Sequence, residues 1–425
     1  MDFIGLKQLI GNLIRNLQGK LKPQIFMSEI LKRKGNTLLL PGLNLILQDY
    51  HRIGVTGAGK AAACMSEMLI ELVPEIESGI VNTSRELTIG KKIRCCKCSH
   101  PYPDEATLKH TQEQLETYSS HDLIFFLLSG GASSMLEMPL AGISLADLAE
   151  TGRLMLQSGL GIEEINTVRK HLSRVKGGRF CGFFQKSTLI GLYLSDVVSG
   201  QADLIGSGPT FPDPTTYEKT MEILKHHRLW AITPASVRKI ISEGIAGKIQ
   251  DTPKTISGNI RNFVVADNLS AVRALQEEFG KAGLQSTEST NLQLDAECAA
   301  EFLVEKCWSL QKGSIHLAGG EIRTMVRGAG FGGRIQELAL RILPKLPEDG
   351  FFAGIATDGV DGNTPEPVAA ALVTSELLKN TSIHEIEECL SRSDSYNLLN
   401  RLGALYCFGP SGTNLADIYI VGKWH

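Results

Sequence analysis

Short apolar runs alternate along this chain with longer segments whose apolar residues recur every three to four positions. Each pattern predicts a different element. Leu6, Leu9, Ile10, Leu13, Ile14 and Leu17 repeat at helical spacing, and a second helix is expected over 23–34. Residues 43–48 read as a loop or short strand, and 52–56, 79–82 and 94–98 as strands. The run Leu123 to Leu128 is wholly apolar, as parallel strands covered on both faces are. Helical spacing returns over 144–158 and 217–250, with a strand over 188–194 between them. Phe263-Val264-Val265 is expected to open a new unit. Helices over 270–283, 295–310 and 335–342 then alternate with strands over 314–317, 351–356 and 418–421. This alternation argues for layered α/β domains with mostly parallel strands. The punctuated stretch 247–253 divides the chain into domains of residues 1–250 and 251–425.

The strands empty into polar, glycine-rich turns, and these carry the candidate chemistry. In Gly54-Val55-Thr56-Gly57-Ala58-Gly59-Lys60-Ala61-Ala62 a strand, a glycine turn and an Ala-rich helix follow one another. Unpaired amides and the helix dipole favour an anion at such a helix start. Gly57 and Gly59 let the backbone approach a phosphate, and Lys60 adds a mobile positive charge. The phosphate-loop pattern nevertheless fails at Ala61, where a hydroxyl is required, and the dinucleotide fingerprint fails at Ala62. Taken alone, the motif is equally a tight turn with a surface lysine.

The apolar strand 123–128 ends in Ser129-Gly130-Gly131-Ala132-Ser133-Ser134, a second candidate anion turn. Six of the fourteen residues from Asn166 to Arg179 are basic, among them Arg169, Lys170 and Lys176. That run reads either as a solvated, glycine-capped helix or as a binder of a substrate carboxylate. Asp196 follows the strand over 188–194. In the C-terminal half, Ala318-Gly319-Gly320-Glu321 ends one strand, and Gly328-Ala329-Gly330-Phe331-Gly332-Gly333-Arg334 leads into a helix. That density of glycine reads as a flexible or ligand-hugging loop. Thr357-Asp358-Gly359-Val360-Asp361-Gly362 offers two carboxylates past a strand, suited to magnesium or to proton transfer; an Asp-Gly turn is the plain alternative.

Composition narrows the classes. A net charge of −3 over 425 residues gives no footprint for nucleic acid or an anionic membrane. No apolar run is long enough to span a bilayer, and no signal peptide is read at the N-terminus. Nine scattered cysteines, an odd number, fit a reduced cytoplasmic protein. Cys95-Cys96-Lys97-Cys98-Ser99-His100 lacks the second ligand pair of a zinc finger.

Taken in order, these turns resemble the class II glycerate kinase family, some of whose members are also described as hydroxypyruvate reductases. The resemblance runs through Gly57-Ala58-Gly59-Lys60, the 128–134 turn, Val168-Arg169-Lys170-His171-Leu172-Ser173, Lys176-Gly177-Gly178-Arg179 and Leu194-Ser195-Asp196-Val197-Val198. It continues through Gly208-Pro209-Thr210, Gly319-Gly320-Glu321, Gly332-Gly333-Arg334, Thr357-Asp358-Gly359-Val360-Asp361-Gly362 and Gly409-Pro410-Ser411-Gly412-Thr413-Asn414, and so spans essentially the whole chain. The resemblance implies a Rossmann-like α/β/α N-terminal domain and a smaller α/β C-terminal domain with a cleft between them. It implies transfer of the ATP γ-phosphoryl to D-glycerate, giving 2-phosphoglycerate and ADP, with Mg2+ or another divalent cation. The family's active-site lysine falls on Lys60 and its arginine on Arg334. Asp196 and Asp358 then become candidate bases or metal ligands. Ser129, Gly130, Gly131, Ser133, Arg169, Lys170, Lys176, Glu321 and Asp361 become candidate binders of substrate or phosphate. The chain departs from the family pattern at Ile335, where Asn is usual, and at Ser199-Gly200-Gln201, where acids are usual. Two other readings stay open: an NAD(P)-dependent hydroxypyruvate reductase with Glu77 as ribose clamp, and a non-catalytic sensor of sugar acids or nucleotides. A homodimer is among the assemblies the sequence allows.

Overall fold

A computed structural model describes residues 3–197, 201–256, 258–409 and 411–424. Val198, Ser199, Gly200 and Pro410 of the motifs above lie outside the described residues. The fold is mixed α/β with three sheets, and the chain separates into two compact units. The first unit covers residues 27–195 and 201–265; the second takes residues 3–26, 196–197 and 266–424.

The N-terminal periodicity becomes α1 (Phe3–Lys20), which buries Leu6, Ile10, Leu13, Ile14 and Leu17. The next helix, α2 (Pro23–Ile30), stops before its expected end. The basic residues that follow it form β1 (Lys32–Lys34), antiparallel to β2 (Thr37–Leu40), which pairs in turn with β3 (Leu43–Ile46). Arg33 leaves this small sheet to pair with Glu75 at 2.5 Å, a fork that a helix continuing past Ile30 would have carried elsewhere.

The main sheet of the first unit contains β4 (Ile53–Ala58), β5 (Ser78–Thr83), β6 (Leu87–Ile89), β7 (Ile93–Lys97), β8 (Leu123–Leu128), β9 (Thr188–Leu194) and β10 (Asn259–Ala266). Its order is β10-β9-β8-β4-β5-β7-β6. β4 runs parallel to both β5 and β8, β7 is parallel to β5, β9 is parallel to β8, and β6 is antiparallel to β7. Every residue of β4, β8 and β9 is buried, so both faces of these strands are covered. The chain first builds outward from β4 through β5 and β7, then returns to β4's other side with β8. The carboxyl ends of β4 and β8 are therefore a topological switch point, the place where open α/β sheets hold ligands. β10, expected to open the C-terminal unit, is instead the edge strand beside β9. The helices of this unit are α3 (Ala62–Leu72), α4 (Glu105–Tyr118), α5 (Ala132–Met135), α6 (Leu145–Gln157), α7 (Ile162–Leu172), α8 (Tyr217–His226) and α9 (Ala235–Ile245).

The second unit adds α10 (Asn268–Lys281), α11 (Ala296–Ser309), α12 (Arg334–Ile342), α13 (Ile383–Ser391) and α14 (Ser395–Arg401). Its sheet comprises β11 (Gln285–Leu292), β12 (Ser314–Gly320), β13 (Gly350–Ala356), β14 (Ala370–Thr374), β15 (Leu405–Tyr406) and β16 (Asp417–Lys423). Their order is β11-β12-β16-β13-β14-β15. Here the expectation of mostly parallel strands fails: only β11 and β12 are parallel, and the other pairs are antiparallel. The cause is β16, which enters between β12 and β13 from the end of the chain. Asp417 is thereby paired in register with Gly320 on one side and Ala356 on the other. β11 escaped the sequence reading because its residues are mostly polar and exposed, as an edge strand permits. No helix of the described residues is long and apolar enough to cross a membrane.

Candidate active site

Two strand-to-helix corners, one in each unit, carry most of the residues singled out above. In the first unit β4 ends at Ala58 and α3 begins at Ala62, leaving Gly59-Lys60-Ala61 as the turn. β8 ends beside it and passes through Ser129-Gly130-Gly131 into α5. The two turns are laced together. Lys60 N–H donates to the Gly130 carbonyl at 2.9 Å, Ser129 N–H to Ala58 at 3.2 Å, and Ala61 N–H to Ser129 Oγ at 3.0 Å. Gly57 and Gly59 have φ of +146° and +129°. A β-carbon would stand 2.0 Å from Leu127 O at Gly57 and 2.2 Å from Ser129 Oγ at Gly59. Both glycines therefore have a packing requirement, set by the approach of β8. Lys60 itself is exposed and forms no ion pair among the described residues; the N-cap of α3, Ala61, has no side-chain acceptor of its own, and its N–H is taken by Ser129 Oγ.

His100, which sequence reasoning passed over, joins this corner. Its Cδ2 lies 3.2 Å, and Lys60 Cγ 3.5 Å, from where a β-carbon of Gly131 would stand. The imidazole and the lysine stem thus flank the same glycine. Burial, reinforced by the Lys60 charge, pushes His100 below its ordinary value and keeps the ring neutral at pH 7. Its readable signal was a histidine between a buried strand and two prolines.

The basic run is not a solvated helix. α7 buries its residues from Ile165 to Leu172 except Arg169, which is half-buried. Arg169 Nη1 donates to Ser133 Oγ at 3.3 Å, and that hydroxyl also meets Ser207 Oγ at 3.3 Å; Ser207 donates to Asn166 at 2.8 Å. Burial lowers the Arg169 guanidinium from its ordinary range, with Glu137 opposing. Lys176 is fully buried and engaged by the Ser133 and Leu136 carbonyls, each at 2.8 Å, and by Glu137 at 3.0 Å. Lys170 is buried between Asp213 at 3.5 Å and Asp203 at 3.8 Å. Of the three cations proposed for a substrate carboxylate, Arg169 alone has no carboxylate within ion-pair distance among the described residues. Glu137, the acid that neutralises Lys176, stands alone in the apolar stretch 135–140, a signal that was legible.

The corner of the second unit is built differently. Arg334 opens α12 after Gly333. Its Nε and Nη2 donate to Asp417 at 2.5 and 3.0 Å, and Nη1 donates to Glu321 at 2.6 Å. Burial lowers the guanidinium, but the two carboxylates outweigh it and hold the group above its ordinary value. Asp417 is fully buried and accepts a further bond from Tyr419 Oη at 2.9 Å. Burial raises its carboxyl, with Arg334 opposing. Burial also raises Glu321, Arg334 opposes, and the Asp417 and Asp196 carboxylates add to the rise. Sequence reasoning missed Asp417, although an acid opening the apolar run 418–421 is an unusual start for a buried strand.

Asp361 faces the helix rather than a ligand. Its two oxygens accept Ile335 N–H at 3.1 Å and Gln336 N–H at 3.0 Å, closing the first turn of α12. Burial pushes its carboxyl up to about 6, Asp417 adds to that, and the helix amides oppose it. Asp358 Oδ1 accepts Val360 N–H at 3.0 Å within its own turn. Ile335, the departure from the family pattern, is fully buried in the core of this unit and packs toward Gly354. The glycine-rich loop is pinned, not flexible. Arg327 N–H donates to Ser393 Oγ, Phe331 N–H to Asp394 and Tyr396 N–H to Phe331. A β-carbon at Gly328 would stand 2.5 Å from Arg392 O, and one at Gly332 2.2 Å from Ser395 Oγ.

Among the described residues no group of three or more His, Cys, Asp or Glu is arranged to hold a metal ion by itself. Asp361 and Asp417 are committed to the helix and to Arg334. The donor set still suits magnesium, which takes one or two carboxylates and completes its shell with water and substrate phosphates.

Two family models match the chain: a domain of unknown function, DUF4147, over residues 11–242, and the MOFRL family over residues 314–417. The chain is 35% identical to a glycerate 2-kinase of Pyrococcus horikoshii, covering 87% of each chain. It is also 35% identical to a D-glycerate 2-kinase of Thermotoga maritima, covering 90% of this chain and 92% of the relative. A putative hydroxypyruvate reductase of Agrobacterium vitis is 33% identical over 88% of each. The crystal structure of a Thermotoga maritima glycerate kinase superposes with a TM-score of 0.83 at 33% identity, covering 98% of this chain and 99% of that one. By its ordered turns, its two matched models and these relatives, the chain belongs to the class II glycerate kinase family.

Proposed function

We propose that this chain is a glycerate 2-kinase, transferring the γ-phosphoryl group of ATP to the 2-hydroxyl of D-glycerate. The observation that carries the chemistry is the laced β4–β8 corner, where an exposed lysine without an ion pair among the described residues stands at a helix start. In our reading the unit that carries the β4–β8 corner is a Rossmann-like domain, and the unit that carries Arg334 is a second α/β domain. Lys60 and Arg334 act on the same phosphoryl group.

Phosphoryl transfer needs positioning and charge neutralisation more than covalent help. Lys60, a compact charge on a flexible stem, follows the phosphoryl oxygens as they move. The amides opening α3 add fixed dipoles aimed at the same anion. Arg169, beside Ser133, pairs with the glycerate carboxylate. Arg334 presents a guanidinium already oriented by Asp417, so little order remains to be gained on binding. Asp196 or Asp358 holds the divalent cation, which supplies neutralisation of phosphate charge when bound. Lys170 and Lys176 hold the corner together and do not touch substrate.

A dinucleotide-dependent reductase is less well supported. Glu77, its required ribose clamp, lies 3.7 Å from Arg52 and 4.0 Å from His121, and Ala62 is buried where the fingerprint needs glycine. The deciding experiment offers ATP with D-glycerate, and NADH with hydroxypyruvate, to the same preparation. ADP release with 2-phosphoglycerate identified by NMR is the expected result. Oxidation of NADH without ADP release would replace this reading.

A further inference from the structure

The second unit holds a cavity of about 680 Å³ beside Arg334, bordered by the pinned glycine loop, the 358–363 turn and the end of α13. Its chemistry is mixed. Val326, Val360 and Leu390 give it apolar surface, while Glu321 and Asp358 give it carboxylates against a single guanidinium. That guanidinium is already matched by Asp417 and Glu321. A three-carbon hydroxy acid fits this poorly, being far smaller than the space. A nucleoside fits it well. Pockets of this size suit ligands with a rigid, largely apolar body and a few directed polar groups. A purine would lie against the valines and leucine, and ribose hydroxyls would donate to a wall carboxylate.

The wall is also preformed. The loop is tied by Arg327 N–H to Ser393 Oγ at 2.9 Å and Phe331 N–H to Asp394 Oδ1 at 3.0 Å. Gly332 and Asn363 exchange backbone bonds at 3.0 and 2.9 Å. Its glycines let it lie directly on the 392–395 backbone. A ligand entering here does not have to order the loop, so more of its contact energy appears as affinity.

We propose that this cavity is the nucleoside pocket for ATP, with Arg334 at its phosphate end, and that glycerate is held in the first unit beside Ser133 and Arg169. The inference rests on the kinase reading above, and its test separates the two. Val326 and Val360 are 78% and 39% exposed, so Val326→Asp and Val360→Asp each add a repelling charge without touching the core. Each variant is compared with the unsubstituted full chain by calorimetry with ADP, by steady-state kinetics and by thermal unfolding. The expected result is an unchanged unfolding temperature, ADP affinity and KM for ATP worsened about tenfold, and KM for glycerate within about twofold. Unaltered ADP affinity in both variants, or a shift confined to the KM for glycerate, would overturn the assignment. If the unsubstituted chain binds ADP, loses it through these substitutions and yet turns over no glycerate, the pocket stands and the kinase reading falls.

Discussion

The two corners use opposite electrostatic designs. At the first, Lys60 is exposed, without an ion pair among the described residues, at a helix start that no carboxylate closes. At the second, Arg334 is gripped by Asp417 and Glu321, and the first amides of α12 are closed by Asp361. The first corner keeps its lysine charge open to an incoming anion. The second fixes its cation in place at the expense of burying acids. The difference teaches that a positively charged residue after a glycine turn can serve as an adaptable point charge or as a rigid fork. The sequence motif around it does not distinguish these; distant partners do.

The comparison breaks most plainly at Lys60. Lys60→Ala should lower kcat about a thousandfold, within the range of a phosphoryl-neutralising cation. An exposed lysine should shift stability by no more than about 0.5 kcal/mol; ADP release and thermal unfolding measured together check both halves. Arg334→Ala should lower activity comparably and also destabilise the fold by about 3–5 kcal/mol, because Asp417 is left buried without its partner. Chemical denaturation of the two variants side by side tests the contrast. An Arg334→Ala protein as stable as Lys60→Ala would mean the carboxylate grip is energetically empty.

A smaller effect is expected at the cap. Asp361→Ala strips Ile335 and Gln336 N–H of their acceptor and should cost about 2–4 kcal/mol, and Asp361→Asn less. The pH dependence has a definite sign. The carboxyl is raised from 3.8 to about 6 in the folded chain, so between those values the fold holds a proton that the unfolded chain has released. Stability from this group therefore grows as pH falls through that window and is lost as pH rises through it. Wild type should gain on Asp361→Asn between about pH 6.5 and 4.5, read by urea unfolding at each pH. Smallest of all, Arg169→Ala should raise the KM for glycerate about tenfold while kcat falls less, as the loss of one charge-assisted bond does.

Much of this was legible in advance where the code is local. The strands over 123–128 and 188–194 and the turns at Lys60 and Ser129 are written in apolar runs ended by glycine. What escaped depends on contacts between distant segments. The acid that steadies Arg334 comes from residue 417, and nothing near residue 334 announces it. Lys176 read as a binder of substrate because its partner Glu137 lies on another segment. β11 carries no apolar alternation because an edge strand does not need one. The glycines of the 328–333 loop read as a flexible or ligand-hugging segment, whereas their missing side chains let two backbones touch.

The central claim, that Lys60 and Arg334 serve one travelling phosphoryl group, is tested most directly by a double-mutant cycle in kcat/KM. Lys60→Ala is combined with Arg334→Lys, which keeps the charge over Asp417. The account predicts that the double variant loses far less than the product of the two single losses, by a coupling of at least about 1 kcal/mol. Losses that simply multiply would contradict it.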